Sequence, residues 1–122
     1  MARSRRVVTL GCLLLTMGCN EGVTCPAWSF PAVSAHVVSA TDGSSLLGAM
    51  GEVREGEYRD SLFANGDGYY VAAYDRGGTY SVHIKREGYA AWDTAGVSVS
   101  ETGGACSTVE TEHVNARLVP TQ

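Results

Sequence analysis

A chain of 122 residues has room for one domain of ordinary size and none for a second core. Hydrophobic residues make up 44% of it, which argues against wholesale disorder, and fifteen glycines against three prolines point to many tight turns rather than long helices. The formal net charge of −4 includes Arg3, Arg5 and Arg6 of the N-terminal segment; removing these three leaves six of the nine basic side chains against thirteen acidic ones, a net charge of −7. No Lys/Arg stripe remains, so charge argues against a nucleic-acid footprint and against electrostatic docking to anionic lipid.

Residues 1–18 read as a signal peptide. Arg3, Arg5 and Arg6 supply a positive start, and Val7 to Met17 is an uncharged apolar run. A bilayer span needs about 20 apolar residues, so the run is a leader rather than a transmembrane helix. It ends in Leu15-Thr16-Met17-Gly18-Cys19, which resembles the lipobox of bacterial lipoproteins. In those proteins the cysteine is acylated and becomes the new N-terminus. Gly18 and Cys19 fit the pattern, while Thr16 and Met17 depart from it. The resemblance implies lipidation at Cys19 and stable membrane anchoring by more than one acyl chain. Asn20 lacks the Asp-type retention signal, so the expected address is the outer membrane. The other reading is ordinary signal-peptide cleavage nearby, with Cys19 a plain thiol.

Four cysteines are present. Cys12 belongs to the leader and Cys19 to the lipid, which leaves Cys25 and Cys106 as an even pair in an oxidising compartment. They are expected to form a disulfide; free thiols or a metal pair are the rival readings. No CxxC or Cys/His ligand spacing supports zinc.

Residues 19–31 have no periodicity and read as a tether. Beyond them the hydrophobic pattern has period two. Val33, Ala35 and Val37 alternate with polar residues. Thr41 to Ser45 turns, and Ala49, Gly51 and Val53 alternate again. Tyr58 to Phe63 reads as one short strand, and Asn65-Gly66-Asp67-Gly68 as a turn that tolerates positive φ. Tyr69 to Tyr74 is strand-like, Asp75 to Gly78 turns, and Tyr80, Val82 and Ile84 mark a half-buried strand. After Arg86-Glu87-Gly88, Trp92 to Val99 continues with Ala95, Val97 and Val99 on one face. Glu101 to Cys106 is a loop, and Val114, Ala116 and Leu118 alternate in the last strand. These strands sum to an all-β fold, a seven-stranded antiparallel β-sandwich.

The stretch Gly77 to Trp92, GGTYSVHIKREGYAAW, resembles the hallmark of carboxypeptidase regulatory-like domains, which are transthyretin-like (prealbumin-like) sandwiches. Gly78, Tyr80, Val82 and Ile84 fill the first part of that pattern and Gly88-Tyr89 the second. Val33 to Val53 resembles the opening hairpin, and VNARLVP the closing strand. The likeness covers residues 32–120. Gly51 departs from it, since the family usually has a β-branched residue there, and Glu55 to Gly68 does not align. The resemblance implies a fold and a structural or accessory role, with no cofactor. Fold does not carry function.

Candidate sites are few. His36, His83 and His113 lie on the expected solvent faces, where isolated surface histidines are commoner than a shared metal. No GxSxG motif places a nucleophile beside a base. Some transthyretin relatives hydrolyse a purine-breakdown intermediate and share a C-terminal Tyr-Arg-Gly-Ser; Leu118-Val119-Pro120-Thr121-Gln122 does not match it. Asn65 to Gly68 lacks the flanking ligands of a calcium loop. Trp28, Tyr69, Tyr70, Tyr74, Tyr89 and Trp92 are candidates for a sugar-stacking platform, Trp92 being the position to test. The expectation is a non-catalytic cell-envelope lipoprotein, held to the membrane by its lipid, whose domain serves structure or binds an envelope protein. A carbohydrate-binding module and a transthyretin-like or metal-dependent hydrolase are the alternatives.

Overall fold

The computed structural model describes residues 24–121; the leader, Cys12 and Cys19 lie outside the described residues. Eight strands and no helix are found among them: β1 (Pro31–Ser39), β2 (Met50–Glu55), β3 (Tyr58–Ser61), β4 (Phe63–Ala64), β5 (Tyr69–Tyr74), β6 (Gly78–Lys85), β7 (Trp92–Val99) and β8 (Glu112–Leu118). They form two four-stranded sheets, ordered β4-β5-β1-β8 and β3-β2-β6-β7. The period-two pattern works as expected along the central strands. Val33, Ala35 and Val37 of β1 are fully buried, and so are Val82 and Ile84 of β6 and Leu118 of β8 to within 1%.

Three details differ from the sequence reading. The stretch Tyr58 to Phe63 is two strands in different sheets. Leu62 sits at the crossing, donates its N–H to Gly51 O at 2.9 Å and packs against the core. The same crossing explains Gly51, because a Cβ there would lie 2.2 Å from His83 O and 2.9 Å from Leu62 Cδ1. The sandwich is also not wholly antiparallel, for β8 pairs with β1 in parallel, Val37 opposite Ala116. Alternation reports which face a residue occupies and is blind to strand direction. Finally, Ala95 is exposed instead of sharing a face with Val97 and Val99. The register slips between Tyr80 and Val82, and Gly96 at φ +72 takes up the extra residue of a bulge, which reverses the alternation of β7.

Two polar contacts tie the sheets' margins to the core. Ala73 takes φ +62, rare for a residue with a side chain, and its N–H donates to the Asp60 carboxylate of β3 at 2.8 Å. Tyr70 is 3% exposed, and its hydroxyl donates to Leu46 O at 2.8 Å and accepts from Ala49 N at 3.1 Å. That one hydroxyl satisfies two buried backbone groups of the loop between β1 and β2.

Tyr70→Phe is therefore expected to cost about 1–3 kcal/mol, the penalty for orphaning buried backbone groups, when unfolding is followed in urea. Tyr69→Phe, one residue away on the solvent face, is expected to shift the midpoint by less than about 0.5 kcal/mol.

Candidate functional site

Strand direction gives the sandwich two distinct ends. β1 starts at Pro31, paired with Tyr74 of β5, and runs past His36, paired with Tyr69. The N-terminal segment, the Asp75–Gly77 turn and the 100–111 loop thus share one end. The 40–49, 65–68 and 86–91 loops share the other.

The first end carries the disulfide. Cys25 and Cys106 are joined with Cα atoms 5.3 Å apart, which ties the N-terminal segment to the long loop before β8. Asp75 fastens the same segment: its carboxylate accepts from Ser29 Oγ at 2.8 Å and Phe30 N at 3.1 Å, and its own N–H donates to Phe30 O. Trp28 lies over a groove of about 500 Å³ beside the disulfide and packs edge-on to Phe30. Next to it Glu55 accepts from Thr79 N at 2.8 Å and from Arg76 Nη1 at 2.9 Å. Arg76 stacks over the Tyr58 ring at 3.7 Å, and Tyr80 Oη donates to its carbonyl at 2.5 Å. Gly78, at φ +153, packs against the same carboxylate, since a Cβ would lie 2.5 Å from Glu55 Oε1. Among the described residues the Glu55 carboxylate and the Arg76 guanidinium are partnered within the cluster, as in a structural clamp.

The outer face of the second sheet bears a charged ladder. Glu52 faces His83 on β6, and His83 faces Asp93 on β7. His83 Nδ1 contacts the Asp93 carboxylate, and Arg54 Nε donates to Glu52 at 2.6 Å. Ser81 lines the same shallow groove, but it makes no hydrogen bond to His83 among the described residues. A relay needs the nucleophile bonded to the base. His36 and His113 lie on the first sheet, so the three histidines do not converge. No group of three His, Cys, Asp or Glu able to hold a metal occurs among the described residues.

The aromatics divide in the same way. Tyr70 is buried, and Tyr89 and Trp92 are half-buried against the core, so Trp92 is not an exposed platform residue. Trp28, Tyr69 and Tyr74 are exposed at 67%, 40% and 47%. Trp28 and Tyr74 belong to the disulfide end, whereas Tyr69 belongs to the opposite end. Gly88 has φ +87, and the segment it opens pairs with the C-terminal residues: Ala90 N donates to Val119 O and Thr121 N to Gly88 O.

Two surfaces remain without an internal role. One is the seam between the free edges of β7 and β8, a groove of about 440 Å³ lined in part by Trp92, Val97, Val114 and Asn115. The opposite margin, at β3 and β4, is crossed by the chain itself at Leu62. The other surface is a cleft at the end away from the disulfide, between His36, Ser45 and the 65–69 loop. The sequence allows for pairing through an exposed edge strand, but which strands end the sheets and where the cleft lies depend on strand order.

No family model matches this chain, and no curated protein matches it.

Several carboxylates on this surface are held below their ordinary range. Thr79 N–H and then Arg76 lower Glu55; Phe30 N–H and then Ser29 lower Asp75; Ser44 lowers Asp42; and Arg54 lowers Glu52. A depressed folded-state value means stability that is complete above the unfolded value and fades as pH falls through the folded one. Thermal stability should therefore be flat near neutrality and decline below about pH 4.5, the ordinary glutamate value. Glu55→Gln should lower the melting temperature at neutral pH and shrink its acid dependence, as measured by calorimetry across pH.

Proposed function

We propose that this chain is a lipid-anchored, non-catalytic protein of the bacterial cell envelope, whose carboxypeptidase regulatory-like, transthyretin-like sandwich docks an extended segment of an envelope protein along its open seam. The leader, the Gly18-Cys19 junction and the acidic mature composition support the address. The Cys25–Cys106 bridge agrees with an oxidising compartment.

The observation that carries the docking role is the seam. Among the described residues β7 and β8 each pair on one side only, and they end the two sheets on the same flank. A free edge presents unpaired N–H and C=O groups that an extended chain can complete. The Gly96 bulge interrupts the β7 edge, which leaves β8 as the more regular of the two. Val97 and Val114 are half-buried beside it and offer apolar contact to alternate side chains of a docked strand.

A photo-crosslinking residue placed at Asn115, in cells that export the full chain, is expected to trap one envelope protein. The same residue placed at Arg54, on the outer face of the second sheet, should not trap it. Identical patterns from both positions, or none from Asn115, would remove the seam from consideration. Intact mass of the purified chain checks the address separately. The expected mass begins at Cys19 and carries acyl groups; an unmodified Cys19 contradicts the anchor. Alkylation without reductant should label neither Cys25 nor Cys106, and reduction of the bridge should lower stability by about 3–5 kcal/mol for a loop of this length.

A further inference from the structure

We propose that the cleft bounded by His36, Ser45, Asn65, Asp67 and Tyr69 is a binding site for a neutral sugar unit of an oligosaccharide. This goes beyond the docking role of the seam and does not depend on it.

Three separate segments build the cleft, and each is fixed from below. The 65–69 loop closes on itself, with Asn65 N donating to Tyr69 O at 2.7 Å and Tyr69 N to Gly66 O at 2.9 Å. It is fastened to β1 by Val37 N, which donates to Gly68 O at 2.8 Å. Gly66, Asp67 and Gly68 all have positive φ, at +94, +51 and +81. Gly68 packs so closely that a Cβ would lie 2.8 Å from Ser45 Cβ and 3.1 Å from Val37 O. On the facing wall, the Asp42 carboxylate accepts from Ser44 N at 3.0 Å and Ser44 Oγ at 2.8 Å, which sets the turn that presents Ser45. The floor is the His36 ring, stacked on Tyr69 with centroids 4.1 Å apart and held by Ser45 Oγ at 3.0 Å from Nε2. Such walls need little reorganisation when a ligand arrives, which lowers the cost of binding.

The lining selects the ligand class. The cleft is an open depression, not an enclosed cavity, of about 480 Å³, with room for a sugar unit resting on the surface. His36 covers one face of the Tyr69 ring; the residue is 40% exposed, and its remaining surface serves the C–H face of a pyranose. The Asn65 amide and the Asp67 carboxylate make no side-chain hydrogen bond among the described residues, so donors and acceptors both stand ready for hydroxyl groups. An anionic ligand would meet Asp67, and no Lys or Arg lines the cleft to offset it. Of the His, Cys, Asp and Glu ligand types the lining holds only His36 and Asp67, and no group of three such residues able to hold a metal occurs among the described residues. A wholly apolar ligand would leave Asn65, Asp67 and Ser45 desolvated without partners. A neutral, polyhydroxylated molecule with one apolar face satisfies the whole set.

The test is titration of the disulfide-bonded, isotope-labelled chain with maltotriose, cellotriose and chitotriose, read by amide shifts. At least one of them is expected to move Gly66, Asp67, Gly68 and Tyr69. Tyr69→Ala and Asp67→Gly are each expected to weaken that binding by about tenfold or more, with Tyr74→Ala leaving it unchanged. Glycine at position 67 suits the positive φ, so this variant removes the carboxylate without straining the loop. The proposal fails if none of the three sugars shifts the loop at roughly 10 mM, if the shifts map elsewhere, or if binding survives both variants. A response to spermidine and to no sugar would reassign the cleft to cations and overturn it.

Discussion

The fold depends on two sheets facing each other with complementary volumes. The first sheet contributes three fully buried alanines, Ala35, Ala72 and Ala116, beside Val33, Val37 and Leu118. The second contributes Val53, Tyr80, Val82 and Ile84, each at most 1% exposed. A mixture of small and large inward side chains lets two such layers interdigitate at the usual separation of about 10 Å. β1 is the strand on which this most depends. It lies between β5 and β8, and Val33, Ala35 and Val37 on its inner face are fully buried.

Around that core, the margins of the sandwich are held by polar contacts of unlike kinds. At one end a disulfide, the Asp75 carboxylate and the Glu55–Arg76–Tyr58 stack fasten the N-terminal segment and the adjoining turns. At the other end the Tyr70 hydroxyl supports the 46–49 loop from within. The Asp60 carboxylate links β3 to Ala73 of β5 and helps to close the flank where the chain crosses between sheets. Closure of that flank leaves the β7–β8 side as the open one. The clamp at the disulfide end uses up its own polar groups, while the 65–69 loop at the far end leaves Asn65 and Asp67 outward. Rigidity and availability are thus separated in space, as is usual for binding loops carried on a rigid scaffold.

Much of the fold was legible along the chain. The inward positions of the first, sixth and eighth strands follow from Val33-Ala35-Val37, Tyr80-Val82-Ile84 and Ala116-Leu118, because side-chain direction in a strand repeats every two residues. Asn65 to Gly68 was readable as a turn from residues that tolerate positive φ. The Cys25–Cys106 pairing followed from counting cysteines. Ala95 was misplaced, because the Gly96 bulge shifts the period by one residue and a bulge leaves little trace in composition. Leu62 was misplaced in another way, as an apolar residue inside a presumed strand that instead marks the step from one sheet to the other.

Local sequence thus determined the all-β class, the burial pattern of the central strands, the turn residues and the choice of cysteines, since each rests on a residue's own backbone preference or its immediate neighbours. The tertiary structure alone decided that β8 runs parallel to β1, that Gly51 is required by the carbonyl of His83, that His83 lies on a different sheet from His36 and His113, and that His36, Ser45 and Tyr69 meet at one cleft. Those outcomes join residues far apart in the chain through strand order and register, which period-two alternation does not encode.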